Sequence, residues 1–233
     1  SITHVTHDDV LHYYAHAWRP DLTTIVVTGD VTPEKARAVV EQAFGGWRAE
    51  GPKPELDLPA VPLSKASRAH VPDKSSVQDE VVLAETLGLT ASNPAHFTLQ
   101  LGNEVLGGGL FSSRLYRDLR VKTGYVYNVG SDFEWGRTRG TYMVNYGADP
   151  DKVGKARAAV LHDVGAMVAA PPPDAVLSMA KASFLLRIPL HLPSLDRIAA
   201  HYPLLVNLHL PFLHSNRPFT ALCYRSAPTH LGA

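Results

Sequence analysis

The stretch that most constrains the fold is residues 103–131, N-E-V-L-G-G-G-L-F-S-S-R-L-Y-R-D-L-R-V-K-T-G-Y-V-Y-N-V-G-S. Its three consecutive glycines at 107–109 are predicted to end one apolar helix, because glycine loses more backbone entropy than any other residue when it becomes helical. A second helix follows, with Leu115 and Leu119 one turn apart on one face. Gly124 stands where a helix C-terminal glycine belongs, and the tyrosine- and valine-rich run beyond it is typical of a β-strand.

Two side chains in this stretch suggest chemistry. Arg120 lies near the end of the second helix and Tyr127 lies early in the strand, with a glycine turn between them. A guanidinium and a phenol directed to one point can donate hydrogen bonds to a carbonyl oxygen, or to the oxyanion that it becomes. The same spacing also fits an ordinary exposed helix arginine and a half-buried strand tyrosine. The residues alone leave both interpretations open.

The motif block L-G-G-G-x-F-S-S-R-L-Y, then L-R-x-K-x-G, then a tyrosine and V-G-S resembles the inverted-motif zinc peptidases, the family of pitrilysin, insulysin and the mitochondrial processing peptidase. The resemblance covers roughly residues 2–170 and is to the C-terminal domain, which in active enzymes faces the zinc-bearing domain. It implies that Arg120 and Tyr127 contact the substrate near the scissile bond. It also implies a substrate chamber lined by the glycine-rich segment and its neighbour, namely Gly107, Gly108, Gly109 and Arg114.

The catalytic signature of that family, H-x-x-E-H, is absent, because no glutamate in this chain is followed by histidine. In the signature two histidines bind zinc and the glutamate serves as the base. The sequence therefore predicts no metal site and no cofactor in this chain. By the resemblance, zinc is expected in a partner domain or subunit that carries H-x-x-E-H, in cis or in trans.

One histidine cluster near the start of the chain leaves an alternative. Asp8, His12 and His16 are spaced four residues apart and share one helix face, with His4 and His7 beside them. Histidines one turn apart can bind a transition metal. However, no ligand from a second segment accompanies them, and a solvated helix face explains the pattern equally. A stand-alone metal-binding protein that uses His7, His12 and His16 remains a minor hypothesis.

Composition excludes several classes of function. The 233 residues contain 22 Lys+Arg and 22 Asp+Glu, so no cationic surface for nucleic acid or anionic membrane is indicated. No apolar run approaches the roughly 20 residues of a membrane helix. The single cysteine, Cys223, precludes an internal disulfide. A soluble protein of the bacterial periplasm or cytoplasm is expected. The absence of an initiator methionine and of a leader predicts a fragment or a processed piece.

Helices and strands are grouped along the chain rather than regularly alternating. Helices are predicted over about 7–18, 32–44, 94–106, 151–169 and 174–186, and strands over about 23–28, 67–71, 77–87, 125–135 and 140–146, the last two as an antiparallel pair. This grouping predicts an α+β fold, a two-layer sandwich with a mostly antiparallel sheet and helices packed on one face.

The predicted domain organisation has four parts. Residues 1–50 form the trailing helix-strand-helix part of a peptidase half-domain, and 51–65 form a proline-rich connector. Residues 66–190 form the C-terminal peptidase-like domain. Residues 191–233 form an irregular or truncated tail.

The sequence as a whole predicts a non-catalytic, substrate-binding domain or subunit of a zinc metallopeptidase. It would form half of a peptide-binding chamber and supply Arg120 and Tyr127 to the scissile carbonyl. The alternative is a structural or assembly subunit without a peptidase role, like the core-protein relatives of the family.

Overall fold

The structure is a computed structural model that describes residues 2–57, 59–60, 62–191 and 194–210, without the side chains of 188–191. The predicted tail beyond residue 210, with Cys223, lies outside the described residues. The chain divides into two compact units. One comprises the described residues up to 59 together with 194–204, and the other comprises those from 60 to 191 together with 205–210.

The first unit contains two capped helices, α1 (His7–Ala17) and α2 (Pro33–Phe44). Thr6 caps α1 through a reciprocal capping box with Asp9, so two backbone N–H groups at the helix start are satisfied. Thr32 caps α2 by accepting from the Lys35 amide. The first residue of α2 is proline, whose fixed φ angle is already close to the helical value. Both predicted helix starts are confirmed.

The predicted strand at residues 23–28 is wrong for the described part of the chain. This segment is extended and mostly exposed, and among the described residues no backbone carbonyl accepts a hydrogen bond from the amides of 24–28. A strand requires a neighbour to satisfy its backbone groups, and none of the described residues supplies one. Apolar side chains of α2 are likewise not buried, with Val39 57% and Phe44 48% exposed.

The second unit is built on a three-stranded antiparallel sheet in the order β1-β3-β2, formed by β1 (Asp79–Leu87), β2 (Asn128–Trp135) and β3 (Gly140–Ala148). Tyr146 on the central strand lies opposite Val81 on one side and Val129 on the other. Because alternate residues of a strand face alternate sides, these three side chains share one face of the sheet. The predicted antiparallel pairing of the last two strands is confirmed.

Helices cover that face. They are α3 (His96–Asn103), a π-helix (Tyr116–Lys122) and α4 (Val153–Ala169), while α5 (Asp174–His191) packs against α3. The core between them and the sheet is apolar and closely packed; its fully buried members include Leu115, Leu119, Val126, Tyr146 and Val160. The opposite face of the sheet is open in the described residues, with Val82 61% exposed. The α+β prediction, with helices on one face of an antiparallel sheet, is confirmed.

The helix ends within the three glycines, as predicted, but at the last of them rather than the first. The helix does not end at Gly107 but widens into a π-turn over Glu104–Gly108, and the chain leaves the helix at Gly109. Leu110 then adopts a positive φ of 47° at the start of a 3₁₀ turn, Leu110–Ser112. Glycine permits the wide turn because no side chain fills the space against the sheet.

Two further predictions need correction. No strand forms at residues 67–71 in the described structure. A helix, α6 (Leu195–Asn207), occupies part of the segment predicted to be irregular, although it contains Pro203. The prolines of this segment obscured its helical pattern, since proline in a helix interior normally breaks the helix.

Candidate functional site

The structure brings the two predicted site residues together. The guanidinium carbon of Arg120 lies 5.7 Å from the centre of the Tyr127 ring, within the range of a cation–π contact. Both side chains are exposed, Tyr127 by 47%. Arg120 is also tethered, because its Nη1 donates to the Val126 carbonyl at 3.0 Å. The two hydrogen-bond donors therefore lie side by side on an accessible surface.

Local backbone geometry explains this placement. The helix carrying Arg120 ends at Gly124, whose φ of +61° requires the left-handed conformation that glycine adopts without strain. The Tyr125 amide returns to the Leu119 carbonyl at 2.9 Å and closes the turn. The Tyr127 amide then donates to the Gly147 carbonyl at 2.8 Å. The turn thus reverses the chain and anchors Tyr127 against the sheet beside Arg120.

Arg120 belongs to a π-helix, Tyr116–Lys122, which lies one short segment beyond the π-turn at the glycines. Such wide turns are rare and occur frequently at functional sites. Two of them lie within residues 103–131, the segment that the sequence singled out.

Two residues that the sequence analysis missed complete the site. The Tyr127 hydroxyl donates to Asp149 Oδ1 at 2.9 Å, and the Lys152 ammonium donates to Asp149 Oδ2 at 2.8 Å. The Asp149 carboxylate, by accepting that hydrogen bond, raises the pKa of Tyr127 above its ordinary value, while the charges of Lys152 and Arg120 oppose the rise. Lys152, and then Tyr127, lower the pKa of Asp149.

The sequence held a signal for Asp149. The antiparallel register sets Asn128 opposite Gly147, so the residue before β2 and the residue after β3 meet at the same edge of the sheet. Tyr127 and Asp149 are those residues. An antiparallel pair brings the residues that flank its two strands together, so polar residues at these positions are candidate partners.

A buried polar cluster holds the glycine-rich segment on β2. Asn103 donates from Nδ2 to the Ser131 carbonyl at 2.9 Å, and its Oδ1 accepts from the hydroxyls of Ser131 and Tyr142 at 2.5 and 3.0 Å. Gly107 lies against the same serine. An added Cβ would stand 2.2 Å from Ser131 Oγ and 2.9 Å from Leu115 Cδ1. The observed role of Gly107 is therefore close packing of helix on sheet.

We expect Gly107→Ala to destabilise the fold by about 2 kcal/mol, because the new methyl group overlaps atoms of a packed core. Urea unfolding measures the change. The matched control is Gly165→Ala in the exposed part of α4, where an added Cβ meets nothing within 4 Å. That control should gain up to about 1 kcal/mol from the higher helix propensity of alanine. Equal effects of the two changes would contradict the packing role.

The other predicted chamber residues have different surroundings. At Gly108 an added Cβ would lie 2.7 Å from Asn103 Nδ2, and at Gly109 2.5 Å from the Glu104 carbonyl oxygen. Arg114 is half-buried, and within the described residues no hydrogen bond or ion pair joins it to Arg120 or Tyr127. Arg114 lies instead near Asp163, a buried carboxylate. Burial raises the pKa of Asp163, and the positive charge of Arg114 opposes this rise. The structure therefore brings together Arg120 and Tyr127 but not Arg114.

The part of the chain that the structure describes contains no group of three or more His, Cys, Asp or Glu side chains arranged to hold a metal ion. In the histidine cluster, the His12 and His16 rings lie 4.1 Å apart and His16 Nδ1 contacts the His12 carbonyl at 2.8 Å. Together with the missing H-x-x-E-H motif, this donor set does not fit a catalytic zinc. Within the same described residues, every helix is too short or too polar to cross a bilayer.

Comparison with known proteins decides the family. Residues 4–184 match the family described as the peptidase M16 inactive domain. The chain belongs to this family.

Two curated relatives of this M16 inactive domain are named as uncharacterized zinc proteases. One, YmxG of Bacillus subtilis, is 31% identical over 124 residues, covering 53% of this chain and 29% of the relative. The other, SCO5738 of Streptomyces coelicolor, is 26% identical over 160 residues, covering 66% and 34%. The aligned part thus spans about a third of each relative.

Solved structures agree with this assignment. A peptidase M16 inactive domain from Pseudomonas fluorescens superposes with a TM-score of 0.83 at 25% identity, covering 97% of this chain and 53% of that one. A protease from Helicobacter pylori gives a TM-score of 0.79 at 16% identity, covering 94% and 56%. A chain of complex III2 from Candida albicans gives 0.74 at 14% identity, covering 94% and 54%. The last two likenesses concern the M16 fold alone.

Proposed function

We propose that this M16 inactive domain is the substrate-binding half of a zinc peptidase, and that Arg120 and Tyr127 donate hydrogen bonds to the carbonyl of the scissile peptide bond. The observation that carries the proposal is their adjacency, with the guanidinium carbon 5.7 Å from the phenol ring on an exposed surface. Neither side chain is buried in the apolar core.

Arg120 and Tyr127 would act by electrostatic stabilisation of the substrate carbonyl oxygen. When a peptide carbonyl is attacked, negative charge develops on its oxygen, and donors already aimed at that position stabilise the transition state more than the ground state. The guanidinium of Arg120 presents several N–H donors in a rigid, planar arrangement. Its tether to the Val126 carbonyl, at 3.0 Å, leaves the remaining guanidinium donors available for a ligand.

The metal and the general base are assigned to a partner. The described residues offer no fitting metal ligands, and the zinc proteases that the chain resembles are about three times as long as the aligned part. We therefore assign zinc to an H-x-x-E-H-bearing domain or subunit. The glycine segment, Gly107, Gly108 and Gly109, with Arg114, is proposed to line the chamber that admits the peptide.

The experiment is peptide hydrolysis in the presence of zinc by this chain alone, by an H-x-x-E-H-bearing partner alone, and by their mixture. Activity confined to the mixture and abolished by a chelator is expected. Activity of this chain alone would contradict the assignment of the metal to a partner.

The second candidate function is a structural subunit without peptidase activity. It is favoured by the fold shared with a chain of complex III2 from Candida albicans. Against it stands the accessible Arg120–Tyr127 pair, for which a scaffold has no need. Isolation of the native assembly decides between the two, because a stable complex that lacks any H-x-x-E-H subunit would favour the scaffold.

We also propose that residues 1–50 are the trailing part of a peptidase half-domain, and that 23–28 adds as a strand to a sheet of the H-x-x-E-H-bearing domain. The segment T-T-I-V-V-T is β-branched, and in the described structure the amides of 24–28 have no backbone partner. The exposed side chains of Ile25 and Val27 would be covered by such pairing.

Hydrogen exchange tests this docking. The amides of 24–28 should exchange rapidly in the isolated chain and slow by about 100-fold or more once the partner is bound, because a strand amide in a sheet exchanges only on opening. The Val144 amide in the central strand should be slow in both samples. Unchanged exchange at 24–28 in a complex shown to have formed would argue against the pairing, and protection without the partner would indicate self-association.

A further inference from the structure

The Tyr127 hydroxyl already has a hydrogen-bond acceptor in this structure, the Asp149 carboxylate. A phenol hydroxyl has a single hydrogen to donate, and in this structure Tyr127 donates it to Asp149 Oδ1 at 2.9 Å. A substrate carbonyl at Arg120 must compete with the carboxylate for it. Hydrogen bonds to a carboxylate are markedly stronger than those to a neutral carbonyl. Asp149 alone would therefore hold the hydroxyl away from substrate.

Lys152 weakens that competitor. Its ammonium donates to the second oxygen of the same carboxylate, Asp149 Oδ2, at 2.8 Å. Charge drawn toward Oδ2 leaves Oδ1 a poorer acceptor. The guanidinium of Arg120, 5.7 Å from the ring centre, adds a second positive charge on the other side of the phenol. A second carboxylate near Lys152 is Asp151, whose negative charge helps to raise the pKa of Lys152.

The two residues are placed independently of Tyr127. Both lie in the turn between β3 and α4, where the amides of Lys152 and Val153 donate to the Asp149 carbonyl at 2.9 and 3.2 Å. Their side chains are 30% and 36% exposed. Substitution of either side chain therefore leaves the backbone of the turn and the apolar core intact.

We propose that Asp149 and Lys152 are positioning residues for Tyr127. Asp149 orients the phenol and holds its hydrogen at rest, and Lys152 weakens this hold so that the hydroxyl transfers its hydrogen bond to a substrate carbonyl. This inference rests on the proposed function of Tyr127. It requires no proton transfer, since the hydrogen remains on the phenol and only its acceptor changes.

The first test measures the phenol itself in the 233-residue chain labelled with ¹³Cζ-tyrosine. The Tyr127 resonance is assigned by its loss in Tyr127→Phe, and its titration is followed in wild type, Asp149→Asn and Lys152→Met. Asp149→Asn is expected to lower the Tyr127 pKa, because the carboxylate raises it. Lys152→Met is expected to raise that pKa, because the ammonium opposes the carboxylate. Shifts in the same direction, or no shifts, would overturn the inference.

The second test measures kcat/KM of the assembled peptidase. Lys152→Met is expected to lower it about two- to fivefold, the scale of one exposed charge pair, and Lys152→Arg to restore it. Asp149→Asn is expected to raise it on the same scale, since a neutral amide oxygen still orients the phenol but competes less for its hydrogen. A purely structural role for the pair would make both changes lower kcat/KM, which would overturn the proposal.

Tyr127→Phe separates the proposed function of Tyr127 from the proposed role of Asp149 and Lys152. If Tyr127→Phe leaves kcat/KM unchanged, the proposed function of Tyr127 is wrong, whatever the titrations show. If Tyr127→Phe lowers kcat/KM but the two neighbouring variants do not act in opposite directions on the Tyr127 pKa, only the role of Asp149 and Lys152 is wrong.

Discussion

Arg120→Ala in the assembled peptidase is expected to lower kcat/KM by about 10²–10³-fold, the usual cost of losing one preorganised donor to a developing oxyanion. Most of the loss should appear in kcat, because charge on the carbonyl oxygen is greatest in the transition state. Steady-state kinetics with a peptide substrate measures both parameters. Tyr127→Phe, which removes only the hydroxyl, should act in the same direction.

The matched control for this prediction is Arg117→Ala, on the same π-helix. Arg117 is exposed and pairs with the adjacent Asp118 at 2.9 Å, and it takes no part in the Arg120–Tyr127 cluster. Its removal should leave kcat/KM unchanged. A similar loss in both variants would show that helix charge or stability, rather than the donor at Arg120, accounts for the effect.

Arg187→Met is expected to have the largest effect on stability, about 3 kcal/mol of unfolding free energy. Glu104 is buried, with its side chain 4% exposed, and forms an ion pair with Arg187. Without the arginine, Glu104 would retain only the Ser183 hydroxyl at 2.9 Å as a donor from α5. A buried carboxylate that loses its counter-charge bears its desolvation cost uncompensated. Urea unfolding at neutral pH measures the loss.

A double variant separates the ion pair from simple packing. Glu104→Gln combined with Arg187→Met should recover much of the stability, because a neutral amide can still accept from Ser183 and needs no counter-charge. The exposed helix arginine Arg157 provides the control, and Arg157→Met should change stability by less than about 0.5 kcal/mol. If the double variant is no more stable than Arg187→Met alone, the charge of Glu104 is not the cause of the loss.

The parts of the fold that sequence predicted well are those determined by local pattern. The helices predicted over about 7–18 and 32–44 are observed as α1 and α2, and a threonine side chain, Thr6 or Thr32, caps the start of each. Leu115 and Leu119, one turn apart, are both fully buried. Gly124 adopts the left-handed conformation that its position suggested. The caps and the turn depend on neighbours within a few residues, and the spacing of the two leucines is a local pattern, although their burial requires packing against β3 and α4.

The parts that failed depend on partners distant in the chain. The β-branched segment 23–28 has the composition of a strand, but a strand forms only against another strand, and the described residues provide none. The glycine run does end the helix, but packing of Gly107 against Ser131 and Leu115 inserts a wide turn first, so the helix ends at Gly109 rather than at Gly107.

The candidate site was predictable in part for the same reason. Arg120 and Tyr127 are joined by a glycine turn of a few residues, so local geometry brings them together. Asp149 reaches Tyr127 only through the register of β2 on β3, and Lys152 only through the turn that follows β3. Arg114 is near Arg120 in sequence, but the π-helix does not bring it to Tyr127.

The most direct measurement is a structure of the assembled peptidase with an uncleaved peptide, using a partner whose H-x-x-E-H glutamate is replaced by glutamine. The account predicts that one guanidinium nitrogen of Arg120 and the Tyr127 hydroxyl each lie about 2.7–3.1 Å from the same substrate carbonyl oxygen, with the Tyr127 hydroxyl released from Asp149. A peptide bound with Tyr127 still donating to Asp149 and Arg120 turned away from the carbonyl would contradict it.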